Sequence, residues 1–294
     1  MTFYEEKQQQ YRSVTEQTLN VLCSEYLPET SKVCQAARYS LLGGGKRVRA
    51  VLVLAACELL GGDVGAAAHF AAAVEMLHCY SLIHDDLPCM DNDDFRRGQL
   101  SCHKVYGEAT ALLAGDALLT TAFETISGAP LPAQARADAA KALAFGAGAR
   151  GMIWGQELDI AFENVPADKE QLQQIHQNKT GALINAAMQM GVVAAAGQAE
   201  DSKRLEQYAF DLGLVFQIVD DVLDVTSTEE ELGKPIGSDA ENGKTTFVSL
   251  YGVAEAMQMA EKITSDSCKA LRAAYGDKAE FLIKLAQALV ERKN

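Results

Sequence analysis

Residues 78–94 read HCYSLIHDDLPCMDNDD. Ahead of this stretch and into it, Ala71, Val74, Leu77 and Leu82 recur at helical spacing, so an apolar helix runs straight into two adjacent carboxylates, Asp85 and Asp86. Pro88 should break or bend that helix, because proline lacks an amide donor and clashes with the preceding turn. Asp91 follows Asp85 by six residues, a spacing that a straight helix does not put on one face, so the bend must bring it back beside the pair. The bland alternative is a solvated acidic loop.

A second acidic group lies within residues 214–225, LVFQIVDDVLDV. The i, i+3 and i+4 relations align Asp220, Asp221 and Asp224 along a helix whose other residues are mostly apolar. Two like charges 4 Å apart repel by about 1 kcal/mol in water and about 4 at an intermediate dielectric, so a mere charged stripe is a poor account and a cation is expected there. Carboxylates without accompanying His or Cys suit a hard ion, and Mg²⁺ characteristically takes one or two carboxylates, waters and phosphate oxygens. Two such clusters point to a diphosphate bridged by metal.

The remaining parts of an anion site are basic: GGGKRVR at 43–49, Arg96 and Arg97 before Gly98, Lys179-Thr180-Gly181, Gly233-Lys234, and Gly243-Lys244-Thr245. Guanidinium forks and lysine point charges both bind phosphate oxygens. GGGKR by itself is weak, since it lacks the GxxxxGK[ST] spacing.

Around these motifs the chain reads as helices at roughly 3–26, 31–42, 47–60, 65–87, 108–127, 133–149, 170–197, 203–226, 245–263 and 278–292, with no alternating strand pattern. Asp168 and Gln171 form a capping-box pair after Pro166, so a long helix should start there and carry Lys179 and Thr180 about three turns in. Leu205, Tyr208, Leu212, Val215 and Val219 mark the buried face of the helix that bears the second cluster. With no repeat, low-complexity tract or Gly/Ser/Pro-rich linker, one all-α domain spanning 1–294 is expected.

The net charge of −14 argues against nucleic acid or an anionic membrane surface as partner. The most apolar windows, 51–60 and 191–197, fall short of the roughly 18 residues that a spanning helix needs, so no membrane span is expected. Seven cysteines without a CxxC pair, behind a polar start of the chain with no signal-peptide character, imply reduced thiols and a cytoplasmic location.

Taken together, GGGKRVR, SLIHDDLPCMDNDDFRRG, KTGA at 179–182, FQIVDDVLD and the GK…GKTT pair resemble the trans-prenyl diphosphate synthase family, also called polyprenyl synthetase, over about residues 35–250. The resemblance implies a single large helical bundle of the isoprenoid synthase type with a central substrate cavity, and a homodimer. It implies that Asp85, Asp86 and Asp91, with Asp220, Asp221 and Asp224, hold three Mg²⁺ around an allylic diphosphate. Lys46, Arg49, His78 and Arg97 would hold isopentenyl diphosphate, and Arg96, Lys179, Lys234 and Lys244 the allylic diphosphate. Carbonyl and hydroxyl dipoles near Lys179, Thr180 and Gln217 would ease the allylic cation, and the stretch 227–244 would form a closing lid. His84 and His103 receive no role, Trp154 reads as packing, and Cys79, Cys89 and Cys102 read as small buried or loop residues.

Tyr80 and Ser81 lie five and four residues before Asp85, about one helical turn deeper than the metal site, where the side chain should set product length. An aromatic ring there resembles farnesyl synthases, whereas DDLPCMDNDD also resembles geranylgeranyl synthases; the farnesyl product is the first expectation and geranylgeranyl the alternative. A terpene cyclase would usually mix Asn, Ser and Glu in its second metal site and needs no isopentenyl site. An inactive partner subunit would commonly lack an aspartate that this chain retains. A purely structural helical protein gives no reason for six aspartates in apolar helices.

Overall fold

The computed structural model describes residues 1–227 and 243–292. Its helices are α1 (Phe3–Tyr26), α2 (Lys32–Leu42), α3 (Val48–Leu59), α4 (Val64–Asp85), α5 (Cys102–Tyr106), α6 (Glu108–Gly128), α7 (Ala133–Ala147), α8 (Met152–Ala161), α9 (Lys169–His176), α10 (Ala182–Ala194), α11 (Ala199–Thr226), α12 (Phe247–Tyr275) and α13 (Glu280–Glu291). The only strands among the described residues, β1 (Phe95–Arg96) and β2 (Gln99–Leu100), form one short antiparallel hairpin. The all-α expectation therefore holds.

Local chemistry explains most boundaries, and also where the expectation erred. The Asp168–Gln171 capping box is present and starts α9. The long helix expected beyond it is instead interrupted by a π-helical turn, Gln177–Gly181, which carries Lys179 and Thr180. Such turns insert one extra residue into the helical ladder and leave no trace in hydrophobic periodicity. Helix α8 was not expected, because two glycines in GMIWGQELDIA argue against helix by propensity. Helix α12 runs twelve residues beyond the expected end at 263, to Tyr275. Its inward positions there are Thr264, Ser267, Cys268 and Leu271, small or polar residues that hide the spacing.

The chain forms two compact units. One comprises residues 5–141 and 190–196, and in it α4 packs along α6 and α3. Helix α4 is buried on nearly all sides, from Ala66 to Ile83. By length and composition it is apolar enough to cross a membrane, against the expectation that no window of the chain is, but 78% of that window lies inside the fold. The other unit comprises residues 1–4, 142–189 and the described residues from 197 onward. Its core joins α11 to α12 through Val215, Ile218, Val219, Val222, Phe247, Ala256 and Ala260. Tyr208 Oη donates to the Leu282 carbonyl at 2.7 Å, tying α11 to α13.

The glycine loop before α3 is held by a buried ion network. Arg47, left-handed at φ 53°, donates to the Leu41 carbonyl at 2.7 Å, to Glu16 at 2.7 Å and to Glu75 at 3.4 Å. Glu75, 2% exposed, also accepts from the Ala50 amide at 3.1 Å. Arg47→Leu leaves the Glu75 charge buried without its guanidinium and should cost about 3–5 kcal/mol. Glu16→Gln leaves Arg47 still paired with Glu75 and removes only a contact to a side chain that is about one-third exposed, so it should cost no more than about 1 kcal/mol. Urea unfolding of the two variants checks this ordering.

Candidate active site

Helix α4 ends at Asp85, as Pro88 requires, and the chain then folds back on itself. The Asp91 amide donates to the Asp85 carbonyl at 2.8 Å, and the Met90 and Asn92 amides both reach the Leu87 carbonyl. The bend thus returns Asp91 to the pair, as its spacing requires. Arg96 donates from Nε to Asp86 at 2.8 Å, adds a second contact to the same oxygen through Nη2, and reaches Asp93 at 2.8 Å. Burial pushes the Asp86 carboxyl above its usual range; Arg96 draws it part of the way back, and Asp93 and Asp91 raise it further. One guanidinium does not neutralise this group of acids.

The hairpin turn is Arg97-Gly98, both at positive φ, which is the geometry of a tight two-residue turn. It places Arg97 over the glycine loop, where Nη1 donates to the Gly44 carbonyl at 2.5 Å. Arg49 Nη1 lies 3.2 Å from His78 Nε2. Burial first, then Arg49 and Arg97, hold His78 well below its usual pKa, so its neutral Nε2 accepts from Arg49. Burial lowers Arg49 to about 10, which leaves it charged at neutral pH. Arg96, Arg97, Asp86, Gln99 and Ser101 line a cavity beside Tyr39, Cys79 and Cys102. Lys46 is exposed at the edge of the glycine loop.

In the other unit, Asp221 accepts from the Phe247 amide at 2.7 Å, and Asp220 meets the Arg292 guanidinium, which lies over the Phe216 ring. Asp224, 4% exposed, has one carboxylate oxygen, Oδ1, buried with no hydrogen-bond partner. Lys179 and Lys244 converge on one oxygen of Asp159, at 2.7 and 2.9 Å. Burial would raise the Asp159 carboxyl, but the two lysines outweigh it and hold it below the usual range. Lys179 owes its placement to Gly155 of α8, where a Cβ would stand 2.0 Å from the Lys179 nitrogen. His176 lies 3.1 Å from Gln217 Oε1 through Nδ1, which donates, and stacks on Phe247.

A shared cavity brings together Lys179, Gln217, Asp220, Asp221 and Lys244, all expected in the site. It also contains Asp159 and His176, which the sequence reading missed. Gly155 and Asp159 are four apart and share a helix face, a signal visible only once α8 is recognised. Thr180 sits in the π turn, while Lys234 and most of the stretch 227–244 lie outside the described residues. Tyr80 is buried on α4, and Ser81 donates to the His78 carbonyl at 2.9 Å.

Among the described residues no three acidic, His or Cys side chains stand together closely enough to hold a metal on their own. The donors nevertheless fit Mg²⁺, which binds through one or two carboxylates and completes its shell with water and phosphate oxygens. The orphaned Asp224 oxygen and the crowded, raised Asp86 carboxyl are the features that call for a cation.

Aspartates beside arginines and lysines, as each unit holds them, are groups suited to a metal-bridged diphosphate. Residues 30–285 match the polyprenyl synthetase family. The chain is 47% identical over 274 residues to geranylgeranyl pyrophosphate synthase 3, chloroplastic, of Arabidopsis thaliana, covering 91% of this chain and 76% of that protein. An FPP/GFPP synthase from Zymomonas mobilis superposes with a TM-score of 0.87 at 36% identity, over 98% of this chain and all of that one. A geranyltransferase from Helicobacter pylori, solved with magnesium and isoprenyl diphosphate, superposes with a TM-score of 0.85 at 37% identity, over 97% and 98% of the two chains. The chain belongs to the polyprenyl synthetase family and is a prenyltransferase of the isoprenoid synthase helical fold.

Burial lowers the His176 pKa to about 4, against roughly 6.5 in the unfolded chain. The unfolded state therefore binds the extra proton between these values, and the stability present above pH 6.5 is lost as pH falls toward 4, on the order of 3 kcal/mol. His176→Asn should flatten that part of a metal-free stability–pH profile, measured by urea unfolding at fixed ionic strength.

Proposed function

We propose that the chain condenses isopentenyl diphosphate with dimethylallyl and geranyl diphosphate, using Mg²⁺, and releases (2E,6E)-farnesyl diphosphate. The observation that carries this reading is the pair of aspartate clusters, each beside its own cations and each retaining all three of its acids, in a member of a prenyltransferase family. Asp85, Asp86 and Asp91, with Asp220, Asp221 and Asp224, would hold the metal, three ions in all. Bound there, Mg²⁺ supplies the positive charge that stabilises a departing diphosphate.

The chain's own residues do the rest. Lys46, Arg49, His78 and Arg97 bind isopentenyl diphosphate; neutral His78 holds the Arg49 fork in place. Lys179, Lys244 and Lys234 bind the allylic diphosphate with Arg96. Asp159 keeps the two lysine ammonium groups together until substrate oxygens compete for them. When the allylic C1–O bond breaks, its electron pair leaves with diphosphate, and these cations stabilise the new charge more than they stabilise the ground state. Carbonyl and hydroxyl oxygens at the π turn around Lys179 and Thr180, with Gln217 oriented by His176, face the positive carbon. The isopentenyl alkene forms the new bond to C1, and the proton lost from its C2 passes to the departed diphosphate.

The farnesyl assignment rests on Tyr80, buried one turn deeper along α4 than Asp85, where its ring would stop a growing tail. The names of the Arabidopsis relatives support a second reading, geranylgeranyl diphosphate as the product. A homodimer is part of the proposal, and the exposed Leu112 and Leu113 of α6 offer an apolar face for it. So is a cytoplasmic location, which suits seven free thiols.

The test is incubation of the protein with isopentenyl diphosphate, Mg²⁺ and each primer of five, ten or fifteen carbons, with products identified by mass and EDTA as control. Growth that stops at fifteen carbons supports the farnesyl reading; growth to twenty keeps the chemistry and replaces the product. No elongation from any primer rejects the enzyme assignment in favour of an inactive subunit. Asp85→Ala and Asp224→Ala should each lower turnover by at least about 100-fold, the scale of losing one transition-state charge contact.

A further inference from the structure

His84 has no part in the chemistry above, yet its ring touches residues of two helices. It occupies the last turn of α4, directly before Asp85 and four residues after Tyr80. Its Nε2 lies 3.0 Å from the Leu112 carbonyl of α6, and because a carbonyl only accepts, that nitrogen carries the proton. The ring presses on Gly115 one turn along α6: a Cβ there would stand 2.2 Å from Nε2 and 2.4 Å from Cδ2. The Asp116 carboxylate lies 3.9 Å from the same nitrogen. On its other side the imidazole meets the Tyr80 ring edge to face, with centroids 5.5 Å apart at 86°. One side chain therefore joins α4 to α6, the most extensively packed helix pair among the described residues, and braces Tyr80.

We propose that His84 is a positioning residue for product length, which clamps α6 through Leu112 and Gly115 and holds the Tyr80 ring across the path of the growing chain. This rests on Tyr80 being the floor of that path. A phenol ring turns readily about its side-chain bonds, and a tail that carries another five carbons must push it aside. His84 resists that motion because its ring is held through Nε2 by the Leu112 carbonyl and seated against the bare Gly115 of the same helix. Gly115 is required for the same reason, since any larger residue expels the imidazole from its position under Leu112 without altering His84 itself.

The experiment compares product lengths made from geranyl diphosphate by the wild-type enzyme, Tyr80→Ser, His84→Ala, Gly115→Ala and the double variant Tyr80→Ser/His84→Ala, each first checked by thermal melting. The ratio of next-longer to main product should rise about fivefold in His84→Ala and in Gly115→Ala, the scale of losing one edge-on ring contact. Little further rise is expected when His84→Ala is added to Tyr80→Ser, because the two act through one ring. A purely structural role would lower turnover and melting temperature while leaving the ratio unchanged, and that result overturns the proposal even where Tyr80→Ser lengthens the product. If Tyr80→Ser itself leaves the ratio unchanged, the floor reading fails and the inference falls with it. Gly115→Ala reaches the same clamp from the opposite helix and decides the matter should His84→Ala not fold.

Discussion

Within each of the two aspartate clusters, carboxylates set against an apolar helix repel one another, and each unit is arranged around the need to offset that repulsion. Three of these acids are met by a compensating group on the described residues. Arg96 answers Asp86, the Phe247 amide answers Asp221, and Arg292 answers Asp220. The compensation is incomplete: Asp224 keeps an oxygen without a partner, and Asp86 stays above its usual pKa despite Arg96. A fold built only for stability would have replaced such groups with apolar ones, since buried ion pairs seldom gain more than they lose to desolvation. Charge left over in this way is suited to a ligand that brings cations and phosphate oxygens with it.

At three places the backbone is bent where it presents a candidate site residue. Pro88 returns Asp91 to Asp85, the Arg97-Gly98 turn lays a guanidinium over the glycine loop, and the π turn offers Lys179 to Asp159. Each bend is secured by something buried and rigid. The Arg47 network fixes the glycine loop, and the bare face of Gly155 admits the π turn against α8. Precision in the site thus comes from packed helices rather than from the loops themselves.

Much of this was legible in the order of residues. The two aspartate runs, Pro88, the Asp168–Gln171 cap and the apolar face of α11 are local patterns, and local patterns are set by near neighbours along the chain. The π turn, α8 and the length of α12 were not legible, because glycines and small polar residues carry no periodic signal when tertiary packing supplies the stabilisation. Asp159 went unnoticed for that reason: its importance lies in two lysines 20 and 85 residues away.

By itself the sequence determined the helical class, the chemistry of the donors and the family to which the chain belongs, since helix periodicity, proline geometry and carboxylate–cation composition act over a few residues at a time. Only the tertiary structure decided which cation meets which acid, that His176 holds Gln217, that Arg47 is spent on Glu16 and Glu75 rather than offered to a ligand, and that His84 is pinned between Leu112, Gly115 and Tyr80. Those pairings join residues far apart in the chain, and their choice depends on distances of a few ångströms and on exclusion of water, which no local pattern encodes.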